Sequence, residues 1–223
     1  MMLGVITNGF LLSDRIVDGF NEAGLSELQV SIDGVKPTPA APKALDVLRS
    51  RLERLAGRAR FKVVLSAVIG AGAPTAEVEG IVRFARDHGF RPRVLLRHGA
   101  DGQLAPDADL LQTYSHVPDL VGRSLRESPR YRRQLVASGE SPFRCRAGSR
   151  YLYIDQDGIV RWCAQTTEAF GRPLAEYTPD DLRRQFYAHK PCNTRCTIGC
   201  ARSCSRIDRW FPQPREKADA HRA

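Results

Sequence analysis

Cysteine is absent from residues 1–144, and no internal repeat or low-complexity tract is present. No apolar run approaches the roughly 20 residues of a membrane span, so no membrane partner is expected. The opening Met1-Met2-Leu3-Gly4-Val5 lacks a basic n-region and turns polar at Thr7-Asn8-Gly9, which is not the pattern of a signal peptide. A cytoplasmic, reducing compartment is therefore the expectation. Zinc-finger, helix-turn-helix and RNA-recognition signatures are also missing. The formal net charge of +9 comes mainly from arginines spread along the chain. It reads as a solvated basic surface, and no nucleic-acid partner is expected.

What is present is 223 residues with 42% hydrophobic content, enough for one large domain or one domain with a small appendage. Residues 4–7 read as a short strand ending at Asn8-Gly9. Ser13 caps a helix with Ile16, Val17 and Phe20 inward, stopped by Gly24. A second strand over 28–32 ends at Asp33-Gly34. A helix over 44–55 presents Leu45, Leu48, Leu52 and Leu55 at helical spacing, with Val47 beside them. A strand over 61–68, a helix over 75–88 and a strand over 93–96 follow. Repeated strand–helix units of this length predict parallel strands with right-handed crossovers. Residues 97–106 read as a loop, and 110–136 as a helix broken at Pro118 and Pro129. The small polar run over 137–142, closed by Pro142, is the expected boundary between a domain over 1–136 and one over 143–210. The charged residues 211–223 form a frayed tail.

All six cysteines lie beyond that boundary: Cys145, Cys163, Cys192, Cys196, Cys200 and Cys204. Two alternating strands, 151–155 and 159–162, are joined by the tight-turn pair Asp157-Gly158. That hairpin returns Cys163 to the end where the chain entered, and a bend at Gly148 lets Cys145 approach it. Thr178-Pro179-Asp180-Asp181 opens a helix carrying Leu182, Phe186 and Tyr187. The run Cys192, Cys196, Cys200, Cys204 then offers further thiolates at intervals of four, although Gly199 weakens a regular helix there. Thiolates grouped in a reducing compartment are metal ligands more often than core residues. Zinc favours pairs spaced Cys-x2-Cys, whereas an iron–sulfur cluster tolerates ligands spread over a longer and wider frame. The spacing leans to iron–sulfur. Six thiols exceed the need of one cluster, leaving spares or an incomplete second cluster, with Cys204 the first choice of spare.

With these residues in view, the chain resembles the radical S-adenosylmethionine (SAM) superfamily, specifically members with a C-terminal SPASM or twitch auxiliary-cluster domain. Cys145-x12-Gly158-x4-Cys163 is similar to the opening motif of that domain. Ile6-Thr7-Asn8-Gly9 with Leu11-Leu12 resembles the end of the family's third barrel strand, and Val30-Ser31-Ile32-Asp33-Gly34 the end of its fourth. The resemblance implies an α/β fold: an incomplete (β/α) partial TIM-type barrel followed by a small Cys-rich α+β auxiliary-cluster domain. By the same resemblance Thr7 and Ser31 are cofactor-binding positions for SAM. From the residues alone, Thr7 is a strand-end cap and Ser31 a turn residue, Asn8 and Asp33 stabilise turns, and Arg97 and His98 lie in a solvated loop.

Two elements of the family pattern do not occur in the sequence. One is the Cys-x3-Cys-x2-Cys motif that holds the SAM-cleaving cluster; the other is the Gly-Gly-Glu-Pro segment that meets the SAM amino group. The expectation is an N-terminally truncated member, inactive alone, with an auxiliary 4Fe–4S cluster and with SAM used only in a full-length form. Its partners would be a reductant and a substrate, peptide or small molecule. In such enzymes a reduced cluster splits SAM, and the resulting radical abstracts a substrate hydrogen. The alternative is a non-catalytic iron–sulfur or zinc protein acting in binding or electron transfer.

Overall fold

The computed structural model describes residues 2–39, 41–69, 75–96, 134–135, 137–141, 143–166 and 169–205. Two compact units divide the chain, Met1–Arg97 with Pro106–Ala137, and His98–Ala105 with Ser138–Ala223. The loop expected over 97–106, most of the helix over 110–136, Arg97, His98 and the tail lie outside the described residues.

The first unit runs β1 (Gly4–Thr7), α1 (Asp14–Glu22), β2 (Glu27–Ile32), α2 (Leu45–Arg58), β3 (Lys62–Ile69), α3 (Thr75–Asp87) and β4 (Arg91–Leu96). The strands form one parallel sheet in the order β1-β2-β3-β4. Parallel neighbours require a crossover, and each helix occupies one. Alternation along β2 sends Leu28, Val30 and Ile32, all fully buried, to one face and Gln29 and Ser31 to the other. Leu45, Leu48, Leu52 and Leu55 of α2 are buried as their spacing predicts. A side chain at Gly9 would meet Val30 Cγ1 at 3.1 Å and Leu48 Cδ1 at 3.2 Å, so the turn after β1 is clamped between β2 and α2.

Ser13 caps α1, its Oγ accepting from the Ile16 N–H at 3.4 Å. Ile16 itself is 37% exposed, not inward, and Val17 alone of the helix is buried. The nine-residue helix packs against α2 and buries only one narrow stripe, and Ile16 falls beside it. The turn after β2 is held from α3: Glu77 Oε2 accepts from the Val35 N–H at 3.0 Å. Asp33 pairs with Lys43 at 3.0 Å, and Asn8 Oδ1 accepts from the Phe10 N–H at 3.1 Å.

The second unit contains β5 (Tyr153–Ile154), β6 (Ile159–Arg161) and β7 (Arg172–Pro173), antiparallel in that order. Helices α4 (Pro179–Tyr187) and α5 (Gly199–Ser205) flank a 3-10 helix over Pro191–Arg195. The hairpin forms where expected but is shorter, because Asp155 turns inward to close it. Asp155 Oδ1 accepts from the N–H groups of Asp157 (3.0 Å) and Ile159 (2.9 Å), and Oδ2 binds Arg161 Nε at 2.6 Å. Thr178 and Asp181 form a reciprocal capping box on α4. The helix buries Asp181 and Gln185 and leaves Tyr187 half exposed. Leu182, Phe186 and Tyr187 are therefore not its buried face. The polar face wins because its partners are polar: Arg172 binds Asp181 Oδ1 at 2.9 Å, and Trp162 Nε1 donates to Gln185 Oε1 at 2.8 Å.

Candidate metal centre

Among the described residues of the second unit, the buried apolar side chains are Cys145, Ala147, Val160, Cys163, Cys196 and Ala201. No leucine, isoleucine or phenylalanine is among them. Phe143, Tyr151, Trp162 and Ile198 pack partly buried around Cys145, Ala147 and Ala201. So small a core rarely holds a unit of this size together, and small domains compensate with disulfides or a metal. All six cysteines are free thiols.

Four elements deliver the thiols. Cys145 follows shortly after Phe143, whose carbonyl receives the side-chain amide of Asn193 from the 3-10 helix. Just beyond Cys145 the chain reverses at Gly148, which sits at φ 80° with Gln185 Cβ and Cγ 3.0 Å from where a side chain would begin. The hairpin then returns Cys163 after Trp162. Cys192 lies within the 3-10 helix and Cys196 follows it, with Ser141 Oγ donating to the Cys196 carbonyl at 3.3 Å.

Electrostatic influence identifies which thiols are neighbours. Burial pushes the Cys145 thiol up, and Cys163 adds to the rise. Cys192 is raised by burial, then by Cys145 and Cys163. Cys196 is pushed up to about 12, first by burial and then by Cys145, Cys192 and Cys163. Cys145 and Cys163 thus act on both Cys192 and Cys196. Cys200 and Cys204 lie on α5, which begins at the very glycine expected to disfavour it. Cys204 is raised by burial and then by Cys200. Cys200 hydrogen-bonds Tyr151, whose hydroxyl is raised by burial and then by that thiol.

Backbone donors already point at the sulfurs. The Ile198 N–H donates to Cys196 Sγ at 3.4 Å, and the Ala147 amide lowers Cys145 in the same i to i+2 fashion. Thr166 Oγ1 lies 3.3 Å from Cys163 Sγ. Thr197 Oγ1, a hydroxyl able to donate, is buried without a partner beside Cys196. Among the described residues, no three His, Cys, Asp or Glu side chains converge as ligands of a single ion. A tetrahedral zinc would need its sulfurs about 3.8 Å apart, given Zn–S near 2.3 Å. A four-iron cluster takes one thiolate per iron and spreads them more widely.

Sequence reasoning missed Lys190. It is 3% exposed, and its ammonium donates to the carbonyls of Gln185 (2.7 Å) and Ala188 (3.3 Å). Its value falls to about 8, chiefly through burial and against the opposing pull of Cys145. Its place two residues before Cys192 was the available signal. A cleft of about 240 Å³ is lined by Cys145, Lys190, Arg144, His189, Asn193 and others of this unit.

No family model and no curated protein matches the chain. Among solved structures it is similar to Streptococcus suis SuiB, determined bound to the precursor peptide SuiA, at 13% identity and a TM-score of 0.56. The match covers 84% of this chain and 50% of SuiB, so the chain spans about half the length of that protein. At that identity the likeness is one of fold: the chain shares the fold of the part of SuiB that it covers. Its two remaining expected site residues lie in the first unit. Thr7 ends β1, and its Oγ1 accepts from the Gly9 N–H at 3.1 Å, the strand-end cap read from sequence. Ser31 is not in a turn. It sits inside β2, half-buried, in register with the fully buried Ser66 of β3, which in turn pairs with Arg93 of β4. Arg93 donates to Gln29 Oε1 at 2.7 Å on that same polar face. No described helix is long and apolar enough to cross a membrane.

Proposed function

We propose that this chain is the auxiliary-cluster portion of a radical SAM protein, with Cys145, Cys163, Cys192 and Cys196 holding one 4Fe–4S cluster in a SPASM- or twitch-type domain. The observation that carries the reading is the second unit's core. It is built on the buried thiols of Cys145, Cys163 and Cys196 in place of large apolar side chains. A cluster bound there contributes folding energy that the packing lacks. The spacing of the cysteines along the chain leans to a cluster over a single zinc.

When bound, the group supplies one-electron transfer or an iron that anchors substrate. The residues around it set its surroundings. The amides of Ala147 and Ile198 oppose the rise that burial imposes on Cys145 and Cys196, and Trp162, Phe143 and Ile198 limit water access. The parallel sheet forms the wall of a partial barrel. Its polar face carries Gln29, Ser31, Ser66 and Arg93, and Thr7 and Ser31 are the SAM-facing positions. The substrate class is a peptide, as SuiB's bound precursor peptide supports. The sequence has no Cys-x3-Cys-x2-Cys, so this chain alone generates no 5′-deoxyadenosine from SAM.

The reading is tested by anaerobic reconstitution of the chain with iron and sulfide. About four irons and four sulfides per chain, with broad visible absorption, are expected. Uptake of one zinc in preference, or no iron above a thiol-blocked control, overturns it.

A further inference from the structure

The second unit encloses a cleft of about 240 Å³ that the cluster reading leaves without a role. Cys145 is the one cysteine that lines it, so the cleft lies beside the proposed centre and not within it. It is smaller than the roughly 300–1,000 Å³ of pockets that enclose a whole small ligand, and suits the end of a longer molecule. Two of its lining side chains carry unmet needs of opposite kind. Lys190 is 3% exposed, and a lysine is almost never so buried without a partner for its charge. Its ammonium has three donors; the carbonyls of Gln185 and Ala188 take two, and neither carries a formal charge. No described ion pair gives it a carboxylate. Asn193 has the complementary need. Its amide donates to the Phe143 carbonyl, which fixes its orientation, since exchanging oxygen and nitrogen would set two acceptors face to face. Its Oδ1 is left buried with no donor. Arg144 and Glu140, both exposed, line the rim; Arg144 adds positive charge, and water screens the opposing charge of Glu140.

We propose that this cleft binds the C-terminal residue of a peptide, with its carboxylate at Lys190 and its backbone N–H at Asn193 Oδ1. The inference rests on the peptide reading above for the source of the ligand. The two unmet groups require one anionic acceptor and one N–H donor. A C-terminal residue carries both on a single carbon, whereas an acidic side chain sets them two or three carbons apart. An inorganic anion meets the first need alone. The carboxylate would take the third ammonium donor in a charge-assisted hydrogen bond, and its charge offsets the desolvation of the buried lysine. Binding is non-covalent, and it would hold the end of the peptide next to Cys145.

The test is a ligand-observed NMR titration of the reconstituted full chain with four probes: N-acetylglycine, acetate, N-acetylglycinamide and the α-amide of N-acetylglutamate. N-acetylglycine has both groups and should bind best. Acetate lacks the N–H and N-acetylglycinamide lacks the charge, so each should bind about tenfold more weakly. The glutamate probe, with its carboxylate on the side chain, should bind no better than acetate. Lys190→Met and Lys190→Gln should each weaken N-acetylglycine about tenfold. Arg183→Met, a control 76% exposed on α4, should not change it. The probe comparison needs wild-type protein only, so it gives the reading if the variants fail to fold. Equal binding of N-acetylglycine and its amide, or no binding to the iron-loaded chain, overturns this inference and leaves the cluster reading standing. Preference for the glutamate probe overturns the C-terminal assignment. A chain that takes up no iron overturns the cluster reading, and the same titration of that chain still decides this inference.

Discussion

Replacing Gly148 with alanine tests whether the bend between Cys145 and the hairpin is a structural requirement of the centre. The backbone there is left-handed at φ 80°, where an L side chain costs about 1–2 kcal/mol. The new methyl would also stand 3.0 Å from Gln185 Cβ and Cγ and 3.3 Å from Trp162 Cδ1. Neither neighbour can retreat freely, because they are tied by the Trp162–Gln185 hydrogen bond. Overpacking of this kind adds about 1–3 kcal/mol, so the total loss is about 2–5 kcal/mol. Gly158, in the hairpin turn at φ 74°, is the control, since nothing lies within 4 Å of its added methyl. Gly158→Ala should cost about 1–2 kcal/mol from strain alone. Urea unfolding of the two variants measures the difference, and iron content after reconstitution reads its effect on the site. Gly148→Ala should bind less iron than Gly158→Ala. Equal destabilisation and equal iron would refute the claim that close packing at Gly148 shapes the centre.

Other consequences are simpler to state. The Asp155 carboxyl is held below the usual carboxylate range, first by Arg161 and then by the Ile159 amide. A depressed folded value gives stability present above the unfolded value, about 3.9, and lost as pH falls through the folded one. Asp155→Asn should therefore lower the apoprotein's Tm near pH 7, with a gap that closes below about pH 4; a gap that widens in acid would contradict the assignment. On the edge strand β1, Ile6 is 72% exposed, and the preceding Leu3 is 48% exposed. Ile6→Lys should reduce concentration-dependent association in light scattering, because a charge on an open edge opposes strand pairing; undiminished association would assign the contact to another surface.

The parallel sheet was legible because its signals are local. Short apolar runs alternate with amphipathic helices, and Leu45, Leu48, Leu52 and Leu55 repeat at a spacing that only a helix satisfies. The hairpin was equally plain from Asp157-Gly158, although Asp155 reads as a strand residue until its two turn hydrogen bonds are seen. Less was visible wherever a partner distant in sequence decides. Leu182, Phe186 and Tyr187 mark an apolar stripe on α4, yet the helix buries Asp181 and Gln185 because Arg172 and Trp162 are waiting for them. Ile16 has helical spacing but lies off the narrow contact stripe. In the centre, the grouping of six cysteines was evident. Which of them share an element was not, because that depends on where the 3-10 helix over Pro191–Arg195 ends and α5 begins. The sequence reading set Cys204 alone aside, whereas the proposed ligand set leaves out Cys200 as well. Lys190 gave no sign beyond its place in the run, since burial of a lysine is a tertiary fact.

Iron content across single cysteine-to-alanine variants tests the central claim most directly. Each chain would be reconstituted anaerobically and its iron and visible absorption compared with wild type. Loss of Cys145, Cys163, Cys192 or Cys196 removes one of four ligands and should abolish most of both signals. Cys200→Ala and Cys204→Ala should leave about four irons per chain and an unchanged spectrum. Full retention of iron in Cys163→Ala or Cys196→Ala, or its loss in Cys204→Ala, would contradict the assignment of Cys145, Cys163, Cys192 and Cys196 as the ligand set.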